Sequence, residues 1–224
     1  MNVVEVSRGQ RVNLTLSDGT NVCLNSGSKF AYPSNFSGQN RTVELTGEGF
    51  FEVCHDGSKP FVVRMPLLEV KVLGTRFNVK AYSDENTEVT LEKGKVKVYM
   101  EGDAGKAGGS SWELYPNQQL HCTPDQQVTL KDVEAELSMS WLEGAFFFDN
   151  QPLSTIAKEL ERRFDVNIRF QDPQLAKVVF TCHTKAGATV NQILDALKHT
   201  KVLDYIQNEK TYILLTSKSR LPMK

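Results

Sequence analysis

Residues 70–82 read VKVLGTRFNVKAY, and their pattern decides the fold. Val70 and Val72 alternate with polar neighbours, as in a half-buried strand. Phe77, Val79 and Ala81 alternate as well, but on the opposite parity. A strand cannot change parity without an extra residue or a kink, and Gly74 stands where the change falls. The stretch therefore predicts two short strands joined by a corner.

The same grammar extends in both directions. Before it, Val12, Leu14 and Leu16 alternate, then Val22 and Leu24, with Asp18-Gly19 between them. This predicts a hairpin with a type I′ turn. Val43 and Leu45 predict a strand, Gly47 to Gly49 a bend, and residues 50–53 a further strand. After it, Val89 and Leu91, Lys93-Gly94, then Val96 and Val98 predict a second hairpin. Lys93, Lys95 and Lys97 form a basic ladder expected to guard an edge strand. Residues 101–111 are rich in Gly, Ala and Ser and predict a mobile loop. Many short strands at regular spacing predict an all-β sandwich or coiled β-sheet stack over residues 1–135.

Near Trp141 the period changes. Leu153, Ile156, Ala157, Leu160 and Phe164 form one helical stripe, with Asn150 as the expected cap and Pro152 in the first turn. Val166, Ile168 and Phe170 predict a strand, and Val178, Phe180 and Cys182 another. Thr189 and Gln192 have capping-box spacing before the stripe of Val190, Ile193, Leu194 and Leu197. Residues 203–207 and 210–215 close the domain as a hairpin. With residues 145–148 as first strand, the order over 140–216 is β-α-β-β-α-β-β. This is a small α+β domain with two helices on one sheet face. Residues 217–224 are expected to be a frayed tail.

Composition narrows the function. The chain has 224 residues and a net charge of −1, which argues against a dedicated nucleic-acid binder. It has no apolar run of transmembrane length and no visible signal peptide. Strand begins directly after Met1, which suggests a segment of a longer protein. Cys23, Cys54, Cys122 and Cys182 lack metal-ligand spacing and read as buried free thiols, with a Cys23–Cys54 disulfide the one pairing considered. His55, His121, His183 and His199 are scattered. Glu48 and Glu52 share a face with Phe50 between them, and a solvated strand face is expected. No phosphate loop and no nucleophile elbow is present. No enzyme activity, cofactor or metal is therefore expected.

Five segments together carry a resemblance: LTLSDGTNVCLNSGS at 14–28, VELTGEGFFEV at 43–53, PFVV at 60–63, VKVLGTRFNVKAY at 70–82 and VTLEKGKVKV at 89–98. They resemble the extracytoplasmic portion of FecR-type anti-sigma factors, the ferric-citrate regulator family, in its Bacteroidetes form. Residues 141–148 and 150–164 resemble the family's C-terminal companion domain. Cys23 and Cys54 depart from the family pattern, where apolar or small residues are usual.

The resemblance implies the periplasmic portion of a single-pass inner-membrane protein. A transmembrane helix and a cytoplasmic sigma-factor-binding region would lie upstream of residue 1. It also implies a partner, the signalling domain of an outer-membrane TonB-dependent transporter. The competing class, a carbohydrate-binding lectin-like β-domain, needs an exposed aromatic platform, for which Phe30, Tyr32 and Phe36 are the candidates. The partner surface is expected on the C-terminal domain. Phe146, Phe147 and Phe148 are consecutive, so Phe147 points opposite its neighbours. The closing strand carries Tyr212 and Leu214 on one side and has no Pro to block pairing. Phe147, Tyr212 and Leu214 are the expected interface residues.

Overall fold

A computed structural model describes residues 1–106 and 108–217. The expected tail, 217–224, lies outside the described residues apart from Ser217. The chain forms two compact units, Met1–Met139 and Ser140–Lys224.

The first unit is built from β1 (Asn2–Glu5), β2 (Val12–Thr15), β3 (Asn21–Leu24), β4 (Lys29–Tyr32), β5 (Arg41–Glu52), β6 (Phe61–Arg64), β7 (Leu68–Val72), β8 (Arg76–Ala81), β9 (Thr87–Lys93), β10 (Val96–Met100), β11 (Ser111–Leu114), β12 (Gln118–Cys122) and β13 (Val128–Asp132). A short helix, α1 (Ala135–Ser138), follows. All thirteen strands join one sheet, whose main path runs β11-β10-β7-β6-β5-β8-β9-β12-β13.

That order is nested. Outward from its middle, the strands that match in position on the two sides are β6 and β5, β7 and β8, β10 and β9, and β11 and β12. Each of these pairs is joined by one segment, at 53–60, 73–75, 94–95 and 115–117, and the first three segments are hydrogen-bonded in succession. Val53 N donates to Thr75 O at 3.0 Å, and Asp56 N to Leu73 O at 2.8 Å. Thr75 Oγ1 donates to Lys95 O at 3.0 Å. Asn117 N donates to Leu91 O at 2.9 Å.

The corner expected from residues 70–82 is the second of these. β7 ends at Val72 and β8 begins at Arg76, on opposite halves of the sheet path. The reason for Gly74 is space. A Cβ there would stand 2.6 Å from His55 Nδ1 and 2.7 Å from His55 Cα. Phe51 and Phe77, both fully buried, stack at 5.1 Å on the inner side of this corner.

Three local expectations are corrected. β9 and β10 do not pair with each other; β9 pairs with β8 and β12, and β10 with β7 and β11. Lys93-Gly94 is thus a corner, not a hairpin turn. The ladder lysines are not an edge guard either, since β10 is an interior strand. Lys95 Nζ pairs with Glu113 at 2.8 Å, and Lys97 lies 5.3 Å from the Tyr99 ring centre. Third, residues 41–52 form one continuous strand. Gly47, at φ 116°, lets β5 bend, and its first half pairs with β4 and β6 while its second pairs with β3 and β8.

The β2–β3 hairpin forms as expected, but its turn differs. Only Gly19 has positive φ, at 84°, and Gly19 N donates to Leu16 O at 3.0 Å. This is a type I turn closed by a left-handed glycine, which matches strand twist as well as type I′ does. Asp18 keeps ordinary φ because this loop needs the left-handed region only at Gly19, and its carboxylate serves elsewhere. It accepts from Thr20 N at 3.1 Å and from Arg41 Nη1 at 2.7 Å. Residues 101–106 carry turns, with Asp103 N donating to Met100 O at 3.0 Å and Lys106 N to Asp103 O at 3.0 Å.

The second unit has the expected element order: β14 (Phe147–Pro152), α2 (Leu153–Phe164), β15 (Asn167–Phe170), β16 (Val179–His183), α3 (Val190–Lys198), β17 (Leu203–Asn208) and β18 (Thr211–Thr216). Its strands divide between two small sheets, β14-β16 and β15-β18-β17. Helix α2 touches both β14 and β15, and α3 touches β17. The stripe of α2 is buried at Leu153, Ile156, Ala157 and Leu160. The Thr189 capping box forms: Gln192 N donates to Thr189 Oγ1 at 3.3 Å and Thr189 N to Gln192 Oε1 at 2.9 Å. Asn150 does not cap α2. It adopts φ 49° where the β14–β16 register shifts, and no side chain caps the helix. Leu153 N donates instead to Val178 O at 2.8 Å.

Candidate partner interface

The phenylalanine triplet divides as strand alternation demands. Phe146 and Phe148 are 2% and 1% exposed and stack at 5.6 Å in the core. Phe147 points the other way, half-buried, with its ring 4.3 Å from that of His183. His183 is the register partner of Phe147, so the two rings share the outer face of the β14–β16 ribbon. Val179 is on the same parity of β16 and is 47% exposed.

Tyr212 and Leu214 are core residues, not surface residues. Their strand, β18, is central: β15 pairs with it in parallel and β17 antiparallel. Both residues lie on its inner parity, at 2% and 0% exposure. Tyr212 Oη donates to Asn191 Oδ1 of α3 at 2.6 Å. The open edges of this sheet belong to β15 and β17. Its outer parity carries Ile206, 55% exposed, next to half-buried Ile213, which in turn faces Arg169. Ile213 thus lies on the parity opposite the expected interface residues Tyr212 and Leu214, and Ile206 and Val179 each fall on the parity opposite a buried apolar neighbour, Leu203 and Phe180. At the inner rim, Tyr205 Oη donates to Asp195 Oδ1 at 2.9 Å. Burial first, and then this carboxylate, push the Tyr205 phenol up to about 12.

Chemistry elsewhere is structural. Glu48 is buried, contrary to the expected solvated face. Its carboxylate accepts from Asn25 Nδ2 at 2.7 Å and Asn78 Nδ2 at 3.1 Å, beside the bend at Gly47. Glu52 pairs with Arg76 at 3.2 Å. Two carboxylates so engaged are not an acid–base pair poised over a substrate. Among the described residues, no group of three or more His, Cys, Asp or Glu is placed to hold a metal ion. The three lectin-like candidates pack into the first unit's core or against it. Phe30 is fully buried, Tyr32 stacks on it at 5.4 Å, and Phe36 packs edge-on to Phe61 at 6.0 Å.

All four cysteines are free, and Cys54 is exposed rather than buried. Register rules out the Cys23–Cys54 bridge. Asn21 faces Glu52 and Cys23 faces Phe50, so the same register carries residue 54 to residue 19. A Cβ on Gly19 would indeed lie 3.1 Å from Cys54 Sγ. Cys23 is four residues further on, about 13 Å at about 3.3 Å per residue. A disulfide spans at most about 7 Å between Cα atoms.

Known proteins agree with this division. The FecR protein model matches residues 2–97, and the model for the FecR C-terminal region matches 145–214. Among curated proteins none matches. A crystal structure of a candidate anti-sigma factor from Parabacteroides distasonis ATCC 8503, solved at 1.65 Å, superposes with a TM-score of 0.89. It is 32% identical, and the match covers 96% of this chain and 99% of that one. A second crystal structure described in the same words, at 2.50 Å, gives a TM-score of 0.88 at 32% identity, covering 96% and 98%. Among the described residues no helix is long and apolar enough to cross a membrane. With both family regions matched in order, one on each unit, the chain belongs to the FecR family of anti-sigma regulators.

Proposed function

We propose that this chain is the periplasmic sensor and relay region of a single-pass inner-membrane anti-sigma factor. It receives a signal from the signalling domain of an outer-membrane TonB-dependent transporter. It controls an extracytoplasmic-function sigma factor through a cytoplasmic region upstream of residue 1. The role is binding and relay, without catalysis. The observation that carries this reading is the pairing of a FecR unit with a FecR C-terminal unit, each with its own buried core.

The partner surface is assigned to the second unit. Among the described residues, its two small sheets leave the outer edges of β14, β16, β15 and β17 without a strand neighbour. Such edges accept a partner strand through main-chain hydrogen bonds. Phe147, Val179 and Ile206 supply apolar contact beside them. Tyr212 and Leu214 act only by holding β18 in place.

The test is titration of the full chain with the transporter's signalling domain. Ile206→Asp and Val179→Asp are expected to weaken binding at least about tenfold, as interface anchors do. Tyr115→Ser, on the first unit, is expected to leave it unchanged. Loss of binding with Tyr115→Ser alone would move the surface to the other unit.

A further inference from the structure

The connection between β5 and β6 is the longest of the four corners. Residues 54–59 contribute no apolar side chain to the core; four of the six are exposed and the other two half-buried. Polar contacts fasten them, and these converge on Arg41. This side chain is 3% exposed, and it donates from Nε to Lys59 O at 2.9 Å and from Nη1 to Cys54 O at 2.8 Å. It thereby grips both ends of the segment. The same Nη1 pairs with the Asp18 carboxylate at 2.7 Å, and the guanidinium lies 5.4 Å from the Phe61 ring centre. Nη2 donates to Leu73 O at 3.4 Å, on the next corner.

We infer that residues 54–59 form a releasable strap and that Arg41, held by Asp18, is its latch. Segments fixed by polar contacts with few buried apolar groups open as separate units, well below the global unfolding free energy. This strap has an internal frame that keeps it in one piece. Asp56 Oδ1 accepts from Ser58 N at 2.9 Å and from Lys59 N at 3.1 Å. Among the described residues, the hydrogen bonds that tie it to the body are those of Arg41, Lys59 Nζ on Phe36 O, Cys54 N on Thr20 Oγ1, and Asp56 N on Leu73 O, and His55 packs against Gly74. Release frees Leu73 O, an acceptor on the adjacent corner, while the parallel ladder between β5 and β6 stays in place. The β2–β3 turn, which carries Asp18, thereby controls the accessibility of a corner more than fifty residues away.

Native-state hydrogen exchange on the full chain tests this, with the Asp56 amide as reporter for the strap and the Phe51 and Val79 amides for the strands. In the unaltered protein, the Asp56 amide is expected to be protected yet to exchange with little dependence on added denaturant. The strand amides follow the steep dependence of global unfolding. Asp18→Asn, which keeps the shape and removes the charge, is expected to speed Asp56 exchange at least tenfold and to leave the strand amides unchanged. An Asp56 amide that tracks the strands at every denaturant concentration overturns the strap. So does one that exchanges without any protection. An unchanged Asp56 rate in Asp18→Asn overturns the latch.

Discussion

The two units face the same difficulty, how to close a sheet, and answer it with different materials. The first has almost no helix and must bend its own strands, so backbone clearance at corners does the closing. Gly47 and Gly74 sit where a side chain would collide, with Ser28 and His55 respectively, and Gly94 takes φ 101° with Thr75 close by. Buried polar groups then fix the bends: Glu48 between two asparagine amides, and Arg41 across three segments. The second unit covers short sheets with two amphipathic helices. Its order comes from apolar stripes and a helix cap. A unit closed by corners is expected to fail at single backbone positions, whereas one closed by helices yields gradually.

Gly47→Val is the severest way to probe that contrast. It combines φ 116° with a Cβ 2.6 Å from Ser28 Cα, and the expected loss is about 4 kcal/mol or more. Urea unfolding followed through Trp112 reports it, since Trp112 lies in the first unit and Trp141 in the second. Thr189→Ala removes the only capping box seen among the described residues, and Trp141 is expected to report a loss of about 1 kcal/mol. A cap loss as severe as the corner substitution would end the comparison. The smallest effect is chemical. Burial pushes the thiols of Cys23, Cys122 and Cys182 up, which depletes their reactive thiolate at a given pH. At pH 8, maleimide is expected to label exposed Cys54 first and buried Cys122 last, with mass spectrometry reading the order. Early labelling of Cys122 in the native protein would show that the first unit opens more readily than its corners imply.

Local chemistry made some of this legible and hid the rest. The parity change across Gly74 is written in adjacent residues, as are the helical stripe of α2 and the Thr189–Gln192 pair. Phe147 follows from alternation alone. Lys93-Gly94 misled because a glycine at a corner and a glycine in a hairpin have the same neighbours in sequence. Only the pairing of β9 with β12 and of β10 with β11 separates them, and those contacts are distant. Glu48 misled because strand parity sets it on one face with Glu52; its burial depends on Asn25 and Asn78, far along the chain. Tyr212 and Leu214 were misplaced for the same reason. Parallel pairing of β15 with β18 leaves no local mark, yet it turns an apparent edge into the middle of a sheet.

That central position also gives β18 a say in the order of events during synthesis. β15 is complete by Phe170 and β17 by Asn208, but among the described residues neither has a strand partner other than β18, Thr211–Thr216. Contacts that wait on distant residues form late, because chain closure must precede them. The second unit is therefore expected to stay unassembled on the ribosome until its last strand emerges. A chain ending at Glu209 would lose one strand of three and, with it, the whole sheet.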